Sequence, residues 1–206
     1  MENSGNRQIE AIFNPASIAV VGASNTWGKW GFDIFNNVLT SSSVRKVYPV
    51  NKNATEVRGI KAYPTVRELP ESVDFVIVAV PFQSVPEVMI DCVQKRIKTA
   101  LIISAGLAET GAEGVKLERD IIAIATAGRI RVVGPNCMGN FNTAINLSTL
   151  RQGLTINQNP PSEKFFGGPG RFGTAGNPAK PFPGSLEAIF CNRADILMAA
   201  AALPAH

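Results

Sequence analysis

One turn in this 206-residue chain has the residue types to hold a phosphate: Gly22-Ala23-Ser24-Asn25-Thr26-Trp27-Gly28-Lys29-Trp30-Gly31. Glycines at 22, 28 and 31 permit tight backbone geometry, and the small polar residues between them expose amide donors. A helix whose positive end faces such a turn favours an anion there. The spacing, G-x5-G-x2-G, is longer than the dinucleotide fingerprint G-x-G-x-x-G, and a purely structural turn is the rival reading. A second signal lies at Pro49-Val50-Asn51-Lys52-Asn53. A nicotinamide-binding domain usually sets an Asp or Glu at this point to take the ribose hydroxyls. Lys52 attracts a phosphate on the ribose instead, which fits coenzyme A with its 3′-phosphate, or NADP. The bland alternative is a solvated turn lysine.

The elements that must position these residues follow from periodicity. Ser17 to Gly22 is a short apolar run ending in glycine, which suits a buried strand. Residues 28–39 carry Trp30, Ile34, Phe35, Val38 and Leu39 at helical spacing. Val44 to Val50 reads as a second strand, Gly59 to Tyr63 as a short extended piece and Val66 to Leu69 as a helical turn. Val73 to Val80 is a strand that stops at Pro81, and a helix follows over 86–96. Thr99 to Ser104 is a strand, 111–128 a helix, and Arg131 to Val133 a last short strand. Strand, helix, strand in repetition implies right-handed crossovers and a parallel sheet covered on both faces. The expected class is a Rossmann-like, doubly wound α/β domain over residues 11–147. Within its helices, Asp33 and Asp91 read as ordinary exposed residues, and Trp30 as a core residue.

Composition narrows the function. Apolar residues make up 45% of the chain and charged residues 17%, enough for a solid aliphatic core. A net charge of +4 is too mild for a nucleic-acid-binding chain. No apolar run reaches about 18 residues, so no membrane-spanning helix is expected. Met1 to Asn6 is polar with an early acid, unlike a secretory signal. The three cysteines, Cys92, Cys137 and Cys191, form no CxxC, and a reduced cytoplasmic protein is the expectation. The one histidine is His206, which argues against a buried histidine-based catalytic apparatus.

Five stretches in order carry a family resemblance: Ile12 to Ser24, Tyr48 to Lys52, Val78 to Pro81, Ser104 to Gly111, and Gly134 to Gly139. Together they resemble the CoA-binding domain of the nucleoside-diphosphate-forming acyl-CoA synthetases, relatives of the succinyl-CoA ligase alpha subunit. The resemblance covers roughly two-thirds of the chain and implies roles residue by residue. Gly22, Ser24, Asn25, Gly28 and Lys29 would hold CoA phosphates, and Lys52 would meet the adenosine end. Val80 and Pro81 would line the CoA groove with backbone. Ser104, Gly106 and Glu109 would sit near the reacting end of CoA, with Asn136 and Cys137 close to the pantetheine thiol or acyl group. Structural rivals stand beside these roles: Glu109 as a cap for the helix after Gly111, Pro81 as a strand terminator, and Cys137 as a small buried side chain beside a turn.

The family's next domain carries a Ser-Gln-Ser-Gly-type phosphate loop and a phosphorylated histidine. No Gln-Ser-Gly occurs here, and His206 is a poor phosphoryl carrier. The resemblance therefore implies a chain that does not complete the ligase reaction by itself. Residues 148–206 depart from the preceding pattern: seven of the 14 prolines and seven of the 18 glycines fall after residue 150. This stretch reads as an irregular tail, with one alanine-rich helix over 196–203. Two origins fit it: a reading-frame shift that leaves a non-native end on a synthetase, or the own tail of a stand-alone CoA-binding protein. The functional expectation is the N-terminal, CoA-binding part of an ADP- or GDP-forming acyl-CoA synthetase, partnered by a synthetase beta subunit or by a second copy. The alternative is a non-catalytic CoA or acyl-CoA sensor, since similar domains are attached to acetyltransferases. An NADP-dependent oxidoreductase domain is a third reading, weakened by the long first loop.

Overall fold

The computed structural model describes residues 4–142, 145–150 and 187–191. In chain order it places helix α1 (Ser4–Phe13), strand β1 (Ser17–Val21), helix α2 (Trp30–Leu39) and strand β2 (Lys46–Val50). A small hairpin of β3 (Glu56–Val57) and β4 (Ile60–Lys61) follows, then β5 (Phe75–Val78), α3 (Val85–Gln94), β6 (Thr99–Ile102), α4 (Ala112–Gly128) and β7 (Arg131–Val133). The chain continues into β8 (Cys137–Asn142), β9 (Leu147–Ser148) and β10 (Glu187–Cys191).

Five strands form one parallel sheet in the order β2-β1-β5-β6-β7. Continuous apolar runs suit these strands because both faces are buried. Alternate side chains serve alternate faces. Ile18, Val20, Phe75, Ile77, Leu101 and Val133 face one core with Ile34, Phe35 and Val38 of α2. Ala19, Val21, Val76, Val78, Ala100, Ile102 and Val132 face the other, with Met89 and Cys92 of α3 and Ile121 and Ala125 of α4. The doubly wound α/β class is thus the observed one. The direction in which strands are added to the sheet reverses between β1 and β5, since β2 lies to one side of β1 and β5 to the other. In an open α/β sheet, that point leaves a crevice beyond the strands' carboxyl ends.

Two aspartates depart from expectation. Asp33 and Asp91 are both only 3% exposed. Asp33 lies in the first turn of α2, where the helix dipole favours a carboxylate. Asp91 is buried against a cation: Arg67 Nη2 and Nε donate to its Oδ1 at 2.6 and 3.1 Å. Trp30 is half-buried against the α2-side core, whereas Trp27 is exposed and meets the Phe32 ring edge-on.

Helix α1 and the small sheet β10-β8-β9 have no counterpart in the periodic reading. Strand β8 is built around polar residues. Asn140 and Asn142 donate from Nδ2 to the carbonyls of Ile12 and Phe13 at 2.6 and 3.0 Å, which satisfies the open end of α1. Thr149 Oγ1 donates to Asn140 Oδ1 at 2.8 Å, and Asn37 donates to the Leu150 carbonyl, so packing continues to Leu150. Within the stretch read as an irregular tail, Glu187–Cys191 pairs antiparallel with β8. The helix expected over 196–203 lies outside the described residues.

Candidate functional site

The crevice is a cleft of about 330 Å³ at the carboxyl ends of β1, β2 and β5. Six of the expected site residues line it: Gly22, Ser24, Lys29, Lys52, Val80 and Pro81. Strand β1 passes directly into the glycine-bounded loop from Gly22 to Gly31, with the Gly22 amide donating to the Val50 carbonyl at 2.9 Å. Gly22 has φ +93°, and a Cβ there would lie 2.3 Å from the Ala79 carbonyl oxygen. Gly31 is tighter still, because its Cβ would fall 1.8 Å from the Gly22 oxygen. These two glycines let α2 close down on the end of β1. No side chain caps α2 at Lys29 or α3 at Ser84. Two helix N-termini thus bring their positive ends to one cleft, an arrangement that favours an anion.

The seven remaining expected residues fall in four places. Asn25 and Gly28 lie on the glycine-bounded loop, but the Asn25 side chain is taken up by the hairpin. Its Nδ2 donates to the Glu56 carbonyl at 3.1 Å, and its Oδ1 accepts from the Arg58 amide at 2.9 Å. Ser104, Gly106 and Asn136 lie at the ends of β6 and β7, away from the cleft lining. Ser104 Oγ donates to the Val80 carbonyl at 2.5 Å and the Asn136 amide to the Ser104 carbonyl at 3.0 Å, so these loops are tied to the end of β5. Glu109 falls in the short 3-10 turn Ala108–Thr110. Cys137 is buried at 1% exposure in the α2-side core, its thiol against the Gly139 carbonyl.

Cys92 is buried as well, and burial pushes its thiol up to about 12, with the Asp91 charge adding to the effect. A thiol reacts as its thiolate. Neither Cys92 nor Cys137 is therefore expected to react with iodoacetamide in the folded protein while the denatured chain is labelled fully. Peptide mass spectrometry reads the outcome, and labelling of folded Cys137 at the denatured rate would contradict its burial.

Other cleft residues carried no signal in the periodic reading. Asn51 donates from Nδ2 to the Ala23 carbonyl at 2.7 Å and accepts the Asn53 amide at 2.8 Å, pinning the glycine-bounded loop to the end of β2. Pro64, Val66 and Val88 give the cleft an apolar wall. Glu87 and Asp91 bring carboxylates from α3. Their spacing of four residues on one helix face was available in the sequence. The Asp91 carboxylate raises the pKa of the Arg67 guanidinium beside it, first through the hydrogen bond and then through its charge.

A family model described as "CoA binding domain" matches residues 16–143. The chain belongs to the CoA-binding domain family. Among curated relatives, the ADP-forming acetate–CoA ligase II of Archaeoglobus fulgidus is 46% identical over 132 residues, 64% of this chain and 20% of that protein. The alpha subunit of the Pyrococcus furiosus ADP-forming acetate–CoA ligase II is 44% identical over 140 residues, 68% of this chain and 30% of that protein. Among solved structures, the apo form of acetyl-coenzyme A synthetase 1 from Ca. Korarchaeum cryptofilum aligns with a TM-score of 0.65 at 37% identity, covering 69% of this chain and 31% of that one. The chain thus spans between a fifth and a third of the length of these relatives.

Coenzyme A is the cofactor of this domain, and the cleft suits it. Two helix N-termini without side-chain caps, two lysines and an apolar wall line it together. Among the described residues, no helix is long and apolar enough to cross a membrane.

Proposed function

We propose that this chain is the CoA-recognising part of an ADP- or GDP-forming acyl-CoA synthetase of the cytoplasm. The enzyme as a whole would convert acyl-CoA, phosphate and nucleoside diphosphate into free acid, CoA and nucleoside triphosphate. Recognition of CoA falls to this chain, and phosphoryl transfer to the parts of such an enzyme that it does not span, including a beta subunit. In this reading, the phosphate loop from Gly22 to Lys29 takes the pyrophosphate and Lys52 takes the 3′-phosphate of the adenosine. Val80 and Pro81 border the groove, and the loops bearing Ser104, Gly106, Glu109 and Asn136 lie toward the pantetheine end.

One observation carries the reading above all: Lys52 and the glycine-bounded loop line the same cleft at the sheet's switch point. Calorimetric titration of the full chain with CoA and NADP tests it. CoA should bind with one-to-one stoichiometry and NADP far more weakly. Tighter binding of NADP, or no heat from CoA, would defeat the proposal. Co-elution of the chain with a beta subunit of the same ligase class, from a size-exclusion column, would support the assembly.

A further inference from the structure

The cation assigned to the ribose phosphate is already engaged. Lys52 Nζ donates to Glu87 Oε2 at 3.1 Å, bridging the end of β2 and the first turn of α3 across the mouth of the cleft. Both side chains are largely exposed, at 64% and 62%, so either can swing into solvent. A phosphate monoester reaching Lys52 brings roughly one and a half to two negative charges beside the Glu87 carboxylate. The two anions cannot share one ammonium without repulsion. Arg67, held by Asp91 one turn along α3, is a second cation that senses the carboxylate: the Glu87 charge raises its pKa slightly, and less than Asp91 does. Asp91, one turn further along α3, stays paired with Arg67 through the two bonds described above and lies too deep to compete.

We propose that Glu87 is a specificity-determining residue that competes with the 3′-phosphate of CoA for Lys52. The proposal rests on the reading that Lys52 meets that phosphate. The pair has to open when CoA binds and stays closed around a ligand with no 3′-phosphate. Glu87 therefore lowers affinity for CoA selectively, and gives a domain that must release CoA an anion ready to take its place.

The test is calorimetric titration of the full chain and of Glu87→Gln with CoA and dephospho-CoA, repeated in a Lys52→Met background. Glu87→Gln should tighten CoA about two- to fivefold, the factor that an exposed ion pair converts to. Dephospho-CoA should change little, so the ratio of the two affinities widens. In the Lys52→Met background the gain should vanish. An unchanged or weaker CoA affinity in Glu87→Gln would overturn the competition while leaving the Lys52 reading intact. So would an equal gain in the Lys52→Met background, because general charge would then explain it. If the unaltered chain binds CoA and dephospho-CoA alike, the Lys52 reading itself fails and the proposal falls with it.

Discussion

Gly31→Ala should destabilise the domain by about 3 kcal/mol, the upper range for forcing a methyl into a filled site. For a chain of this size, that corresponds to a fall in Tm of roughly 6–12 °C. The sign is informative because helix propensity alone points the other way. Gly31 is the second residue of α2, and alanine in a helix is better than glycine by up to about 1 kcal/mol. The steric argument wins because the new Cβ would lie 1.8 Å from the Gly22 oxygen, which is backbone and has no rotamer to yield. Either α2 slides away from β1 or the Gly22 peptide turns, and both change move the amides that face the cleft. CoA binding should therefore be lost along with stability. Gly28→Ala is the control on the same loop. Gly28 has φ +81° but no atom within 4 Å of a built Cβ, so only backbone strain of about 1–2 kcal/mol is expected. Thermal unfolding of the two variants separates the effects. A Gly31→Ala protein as stable as the parent would show that α2 does not seat on the Gly22 carbonyl.

The same physics explains what was readable in the sequence. Strands buried on both faces must be apolar throughout, so β1, β5 and β6 stood out as Ile/Val/Leu runs, and α2 to α4 between them showed the 3.6 period. The glycine-bounded loop and Lys52 are each legible as ligand positions, but that they share one cleft follows only from the strand order. Burial of polar groups was not readable, because it depends on a partner distant in sequence. Asp91 is 24 positions from Arg67, and Asn140 is 128 from Ile12. Strand β8 escaped notice for that reason: Cys-Met-Gly-Asn-Phe-Asn shows no alternation, and asparagine is a poor strand former. Its asparagines bind the carbonyl end of α1. Asn25 shows the converse. A polar residue on a glycine-rich loop suggests a ligand contact, yet both ends of its amide hold the hairpin turn at Glu56 and Arg58.

Lys52→Met should weaken CoA binding about tenfold and leave dephospho-CoA within about twofold, the lower end of the range for a charge-assisted hydrogen bond. The lower end applies because Lys52 is exposed and salt screens its attraction for the phosphate. Folding should hardly notice, since an exposed pair such as Lys52–Glu87 contributes at most about 1 kcal/mol. Methionine keeps the length of the side chain and removes the charge, so a change confined to CoA isolates the ribose phosphate. Lys29 supplies the contrast. It lies where the pyrophosphate is expected, common to both ligands, so Lys29→Met should weaken CoA and dephospho-CoA alike. Equal losses in Lys52→Met would move that lysine to the pyrophosphate as well. No loss for either ligand would return it to a solvated turn residue and leave the helix N-termini to hold CoA without it. The selectivity ratio, read at two salt concentrations, decides among these, because a contact made through charge must weaken as salt rises.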